Sequence, residues 1–237
     1  MCIRDRLSGE ELTSFPAPLQ NASAIGVSPD RQHLIVGTRF APQTLQFDLS
    51  TEALVREYKR PVNDLAFTPD GSAVLLAGDN GSLQLVDLAN GTVLRSYEGL
   101  AGVVWSVALD PSGARLAAGC EAGRLCIYDI GSTAPAHTLG SGSGGVKDVA
   151  FARDGALLIA ATGSSFEDQD GAYDLDCYVR VFDASSGTEL ARSHDHQRYV
   201  ELCMPLPGTT ELLSLTANAE AWIWNLPVGP AETPSER

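Results

Sequence analysis

Few residues in this chain have the types and spacing that chemistry needs. Segment 164–176 carries Asp168, Asp170, Gly171 and Asp174, a partial match to a calcium loop, in which several oxygen ligands surround a glycine turn. Phe166 stands where the first ligand belongs and no Glu closes the loop. The expected reading is therefore a solvated acidic loop, with Glu167, Asp168, Asp170, Asp174 and Asp176 available to a basic partner. No metal is expected; calcium held by Asp168, Asp170 and Asp174 is the alternative. Gly140, Gly142 and Gly145 spell a dinucleotide fingerprint, but a strand-like run follows at 146–151. No helix N-terminus would then face a pyrophosphate, so no cofactor is expected. His194 and His196 lack a third ligand and read as part of an exposed polar turn. Cys120 and Cys126 flank a tight turn and, like Cys177 and Cys203, read as small buried thiols. No Ser/His/Asp order, carboxylate pair or nucleophile elbow stands out, so no catalytic residue is assigned and the chain is not expected to be an enzyme.

The composition narrows the partners. With 16 Lys+Arg against 30 Asp+Glu the net charge is −14, which opposes a nucleic-acid backbone or an anionic membrane face and favours basic protein partners. A 44% hydrophobic content over 237 residues is enough for a substantial core. Five cysteines without a CxxC pair suggest neither a disulfide framework nor a zinc site. Without a basic-then-apolar leader, the expected location is the cytoplasm.

The elements that position these residues come from a repeat. Turn clusters recur at Pro29-Asp30, Pro69-Asp70-Gly71, Pro111-Ser112-Gly113 and Asp154-Gly155. An apolar or aromatic residue followed by Asp or Asn recurs at Phe47-Asp48, Val86-Asp87, Tyr128-Asp129, Phe182-Asp183 and Trp224-Asn225. The common step is 42 residues, and the extra residues at 164–176 account for the one longer step. Within each period lie short β-branched and apolar runs such as 62–67, 73–77 and 83–86, bounded by turn residues, which predict strands rather than helices. Trp222 and Trp224, on one such strand, are expected to point to opposite faces.

This pattern resembles the WD40-repeat family over roughly residues 7–225, and the resemblance implies an all-β propeller of four-stranded antiparallel blades. Repeats are expected near 22–58, 62–97, 103–139, 146–193 and 199–225, with an N-terminal strand at 7–15 completing the last blade. About five blades result, one of them split between the termini. A longer propeller of which this is the C-terminal part is favoured over a closed five-bladed ring. Residues 1–6 read as a non-native or truncated start, and 226–237 as a disordered tail. The family's Gly-His pair is absent at Gly99-Leu100 and Gly140-Ser141, so its buried His–Ser/Thr–Asp–Trp network is not expected to form in full. By the same resemblance, the aligned residues Ser23, Asn63, Trp105, Lys147 and Glu201 lie at a central entrance where such propellers grip peptides. The expected function is a non-enzymatic protein-interaction scaffold. The alternatives are a regulatory or sensor propeller of a larger kinase or hydrolase, or a propeller hydrolase.

Overall fold

A computed structural model of the chain describes residues 2–4, 8, 10–14, 22–39, 41–140, 144–168, 171–193 and 196–226. Every regular element among them is a strand. β1 (Cys2–Arg4) and β2 (Glu11–Ser14) form an antiparallel pair. Blade 1 is β3 (Ala22–Val27), β4 (His33–Thr38), β5 (Thr44–Asp48) and β6 (Leu54–Tyr58). Blade 2 is β7 (Asp64–Phe67), β8 (Ala73–Ala77), β9 (Leu83–Asp87) and β10 (Val93–Ser96). Blade 3 is β11 (Val104–Leu109), β12 (Arg115–Cys120), β13 (Arg124–Asp129) and β14 (His137–Gly140). Blade 4 is β15 (Val146–Ala152), β16 (Leu157–Thr162), β19 (Val179–Asp183) and β20 (Glu189–Arg192), with a separate hairpin of β17 (Ser164–Asp168) and β18 (Gly171–Leu175) between β16 and β19. Blade 5 is β21 (Val200–Pro205), β22 (Glu211–Thr216) and β23 (Ala221–Asn225). Among the described residues β2 pairs with β1 and not with β23, so the two ends do not share the split blade expected of them.

The repeated sequence marks are turn devices. Gly71, Gly113 and Gly155 take φ of 71°, 72° and 86°, the left-handed region that favours glycine. Asp48, Asp87 and Asp183 of the apolar–Asp marks cap the turns after their third strands. Asp48 Oδ1 accepts from the Ser50 and Thr51 amides at 2.8 Å each, and Asp183 Oδ1 accepts from Ser185 and Ser186 at 3.0 and 2.8 Å. Hydrogen bonds from Ser50 and Ser185 foremost hold both carboxyls down at about 2.

The second strand of blade 2, β8, is apolar and buried at every position because a blade in the stack is covered on both faces. Blade 3 sorts its side chains with period two. Leu116, Ala118, Cys126 and Tyr128 join blade 2's Leu75 and Leu83 in one cluster, while Ala117, Leu125 and Ile127 join blade 4's Val149 and Leu158 in another. Each fully buried Leu or Ile contributes roughly 1.5–3 kcal/mol. The first strands sit innermost: β3 lies beside β7, β7 beside β11, β11 beside β15 and β15 beside β21.

Two expectations change here. The insertion at 164–176 is a hairpin rather than a loop, with Phe166 opposite Tyr173 in its register. Trp222 and Trp224 lie on the same face, their rings stacked at 5.9 Å, since residues two apart on a strand share a side.

Candidate functional site

A backbone irregularity repeats at the start of the innermost strands. Register shifts fall between Ala22 and Ala24, Val104 and Ser106, Val146 and Asp148, and Val200 and Leu202. The residues skipped are Ser23, Trp105, Lys147 and Glu201. A bulge leaves one residue out of the ladder and re-aims its side chain, which is how strands of one blade each present a group toward a shared centre. These four residues, with Arg39 and Tyr199, line a cavity of about 510 Å³. Asn63, the fifth aligned residue, is not part of that lining. It is buried, and its side-chain amide donates to Asp79 Oδ1 and to the Val104 carbonyl, both at 3.2 Å, tying blade 2 to blade 3.

Cations crowd the aromatic groups. The Arg39 guanidinium carbon is 3.7 Å from the Trp105 ring centre, and Lys147 Nζ is 5.0 Å from that ring and 5.5 Å from the ring of Tyr199. Burial, then the charge of Arg39, push the Lys147 ammonium below its ordinary value, while Glu121 and Glu201 pull it back. The Ser23 hydroxyl is committed to the Val62 carbonyl of the next blade at 2.7 Å.

One residue further along each inner strand lies a second polar layer. Asp64 Oδ2 accepts from the Val107 amide at 2.8 Å, Ser106 Oγ from Val149 at 3.2 Å, and Asp148 Oδ2 from Cys203 at 2.8 Å. One blade's side chain thus holds the next blade's backbone at three successive interfaces. Ala24 has no oxygen to offer at the first interface, and the Leu65 amide there bonds to Asp64 Oδ1 of its own blade. Ser106 Oγ also lies 3.0 Å from Asp64 Oδ2 and 2.9 Å from Asp148 Oδ1. A hydroxyl has one hydrogen, so both contacts are hydrogen bonds only when one carboxyl keeps a proton. Accordingly, burial raises Asp64 to about 6 and raises Asp148 as well.

The acidic insertion is a separate feature. Of its proposed contact residues, Asp170 lies outside the described residues, and Glu167, Asp168 and Asp174 are placed by backbone register alone. The Asp176 side chain accepts from the Gly144 amide at 3.0 Å, which anchors the hairpin base to the link before β15. Among the described residues no three His, Cys, Asp or Glu side chains converge as metal ligands do. Cys120, Cys126, Cys177 and Cys203 are buried thiols, and burial raises Cys126 and Cys203.

His196 corrects the expectation of an exposed turn. It is buried, with Nε2 3.3 Å from Ser214 Oγ, and Trp224 Nε1 donates to that same hydroxyl at 2.8 Å. The imidazole meets the Trp224 ring edge-on at 5.2 Å. In the other blades the position of Ser214 is held by Val36, Leu76, Ala118 and Ala160, which pack as apolar groups.

Sequence reasoning placed the bulge residues through their alignment but missed Asp64, Ser106 and Asp148, although their steps equal the repeat. Arg39 and Tyr199 carry no such signal, because they come from connections outside the repeated strands.

Four-stranded blades stacked through apolar faces, with the apolar–Asp mark recurring at a common step of 42 residues, define a propeller, the architecture that WD40 repeats build. Residues 91–129 match the family model described as "WD domain, G-beta repeat". That span runs from the last strand of blade 2 through the third strand of blade 3. Over 209 residues the chain is 22% identical to the target of rapamycin complex subunit wat1 of Schizosaccharomyces pombe, a match covering 84% of this chain and 62% of that protein. It is 24% identical over 177 residues to the COMPASS component SWD3 of Saccharomyces cerevisiae, covering 73% and 52%. A WD repeat-containing protein of Synechocystis is 28% identical over 154 residues, covering 63% of this chain and 43% of its own length. The chain thus spans between half and two thirds of the first two relatives.

Proposed function

We propose that this chain is a non-enzymatic protein-interaction scaffold that takes a peptide or domain of its partner at the central cavity. The carrying observation is the convergence of Ser23, Trp105, Lys147 and Glu201 from four blades, each delivered by a bulge to one mouth. A half-buried aromatic ringed by charged groups is the make-up of an interface hot spot. The relatives add support, since two of them are named as members of multiprotein complexes. The acidic hairpin offers a second contact, suited to a basic segment of the same partner.

The test is quantitative capture of partners from native extract by the immobilised chain, by Trp105→Ala, and by a version with the hairpin shortened to a turn. The reading expects Trp105→Ala to lose most captured protein while melting at an unchanged temperature. Equal capture by Trp105→Ala and the parent overturns the entrance as the docking site.

A further inference from the structure

The overall charge and the cavity point in opposite directions. A net −14 spread over the surface favours basic partners at long range, but screening confines such fields to about 8 Å at physiological salt. Inside the cavity the nearest charges decide: Arg39 and Lys147 are positive, with Glu201 opposing them in the lining and Glu121 acting on Lys147. Arg39 and Lys147 both lie against Trp105, so their charges are no farther apart than the two ring distances together. No carboxylate among the described residues comes within ion-pair distance of Lys147.

The aromatic faces are also in use. An aromatic cage for a ligand's cation needs a free ring face, and here the protein's own guanidinium and ammonium cover Trp105 and Tyr199. The hydrogen-bonding inventory agrees. Arg, Lys and the indole N–H donate and do not accept. Trp105 Nε1 is buried without an acceptor among the described residues, and the Ser23 hydroxyl gives its one hydrogen to Val62. Acceptors in the lining are the Glu201 carboxylate and the Ser23 and Tyr199 hydroxyl oxygens. The Lys147 ammonium has no ion-pair partner and the Trp105 indole N–H no acceptor among the described residues, so the complementary group is an anion with acceptor oxygens.

We propose that the cavity bounded by Arg39, Trp105 and Lys147 takes an acidic side chain, carboxylate or phosphate, from a peptide segment of the partner. This deepens the scaffold reading and rests on it. A carboxylate or phosphate seated between the two cations would relieve their mutual repulsion and pull Lys147 back up against the lowering by burial and Arg39. The partner then carries two kinds of segment, an acidic one for the cavity and a basic one for the hairpin.

The experiment uses pools of short peptides, randomised except for a fixed central residue: Asp or Glu, phosphoserine, Lys or Arg, or Gln as the neutral reference. Binding to the full chain is read by fluorescence polarisation, with Arg39→Gln, Lys147→Met and Lys147→Glu beside it, each first checked for an unchanged melting temperature. An acidic-centred pool should bind about tenfold or more above the Gln pool, and Lys147→Met should remove most of that margin. Lys147→Glu should turn the preference toward the Lys or Arg pool. The ratio between the Asp/Glu and phosphoserine pools tells carboxylate from phosphate. Preference of the parent for the basic pool, an acidic preference that survives Lys147→Glu, or no binding by any pool overturns the proposal. Partner capture that is lost in Trp105→Ala would leave the scaffold reading standing in each of those cases.

Discussion

The Asp64–Ser106–Asp148 chain makes a prediction whose sign is unusual for aspartates: acidifying the solution should stabilise this protein before it destabilises it. Asp64 is raised to about 6 by burial, with Asp148 shifted the same way. An unfolded Asp titrates near 3.9. The folded carboxyl therefore holds its proton more tightly than the unfolded one, so stability grows as pH falls through about 6 and levels off below the unfolded value. The full shift is worth at most about 3 kcal/mol, of which about 2 kcal/mol appears between about pH 7 and pH 4.5. Both are upper figures, because the Asp64 side chain keeps some contact with solvent. The opposing groups act lower. Asp48 and Asp183, held at about 2, contribute stability that is lost only as pH falls from about 4 toward 2. Urea unfolding across this range, followed by circular dichroism, should show the midpoint rising toward pH 4.5. Relief of the −14 net charge also favours the folded state on acidification, so the decisive comparison is with Asp64→Asn, which cannot titrate. Asp64→Asn should be less stable than the parent at low pH and lose most of the gain between about pH 6 and 4.5. An identical pH profile in both proteins would refute a proton held in this chain.

Three further outcomes follow from the geometry. Ser214→Ala removes the hydroxyl that meets both Trp224 and His196, and should cost about 1–2 kcal/mol in calorimetry with a red shift of tryptophan emission. Gly119→Ala puts a Cβ within 2.7 Å of Val146 Cβ at the blade 3–4 interface and should cost about 1–3 kcal/mol, with part of the loss recovered by adding Val146→Ala. Arg180→Met removes a buried guanidinium that donates to Glu189 Oε2 at 2.5 Å and to the Gly140 carbonyl at 2.6 Å, for a loss of about 2–4 kcal/mol near neutral pH. Although burial pushes Glu189 up, hydrogen bonds from Arg192 and Arg180 bring it to about 2, so in pH-resolved unfolding that loss should shrink as pH falls from about 4 toward 2.

The sequence carried the fold because the propeller writes its turns and strands at a fixed step. Gly71, Gly113 and Gly155 are dictated by backbone conformation, and the apolar run Ala73–Ala77 by a blade covered on both sides. The cavity was partly legible for the same reason, since Ser23, Trp105, Lys147 and Glu201 hold one structural position and differ only in side chain. Asn63 occupies that position in the alignment but turns to the Val104 carbonyl, a choice made by its amide and by the neighbouring blade. Arg39 was illegible because it comes from a connection, and its place over Trp105 depends on a strand in a different blade. His196 misled because its flanking residues are polar, whereas its burial is set by Ser214 and Trp224, strands away in sequence.

The missing oxygen at Ala24 has a mechanical consequence. Blades 2 to 5 are joined at three seams by the same side-chain-to-amide clasp, while the seam between blades 1 and 2 lacks it and relies on Ser23, on the Gln46 bond to the Leu88 carbonyl, and on Arg56 reaching Ala89 and Asn90. Arg39 and Ser23 ride on blade 1, and the other lining groups ride on the clasped body. The mouth therefore has one jaw pinned differently from the rest: cargo held between Arg39 on blade 1 and Lys147 on blade 4 would bridge the one of these seams that the inner-strand clasp does not close.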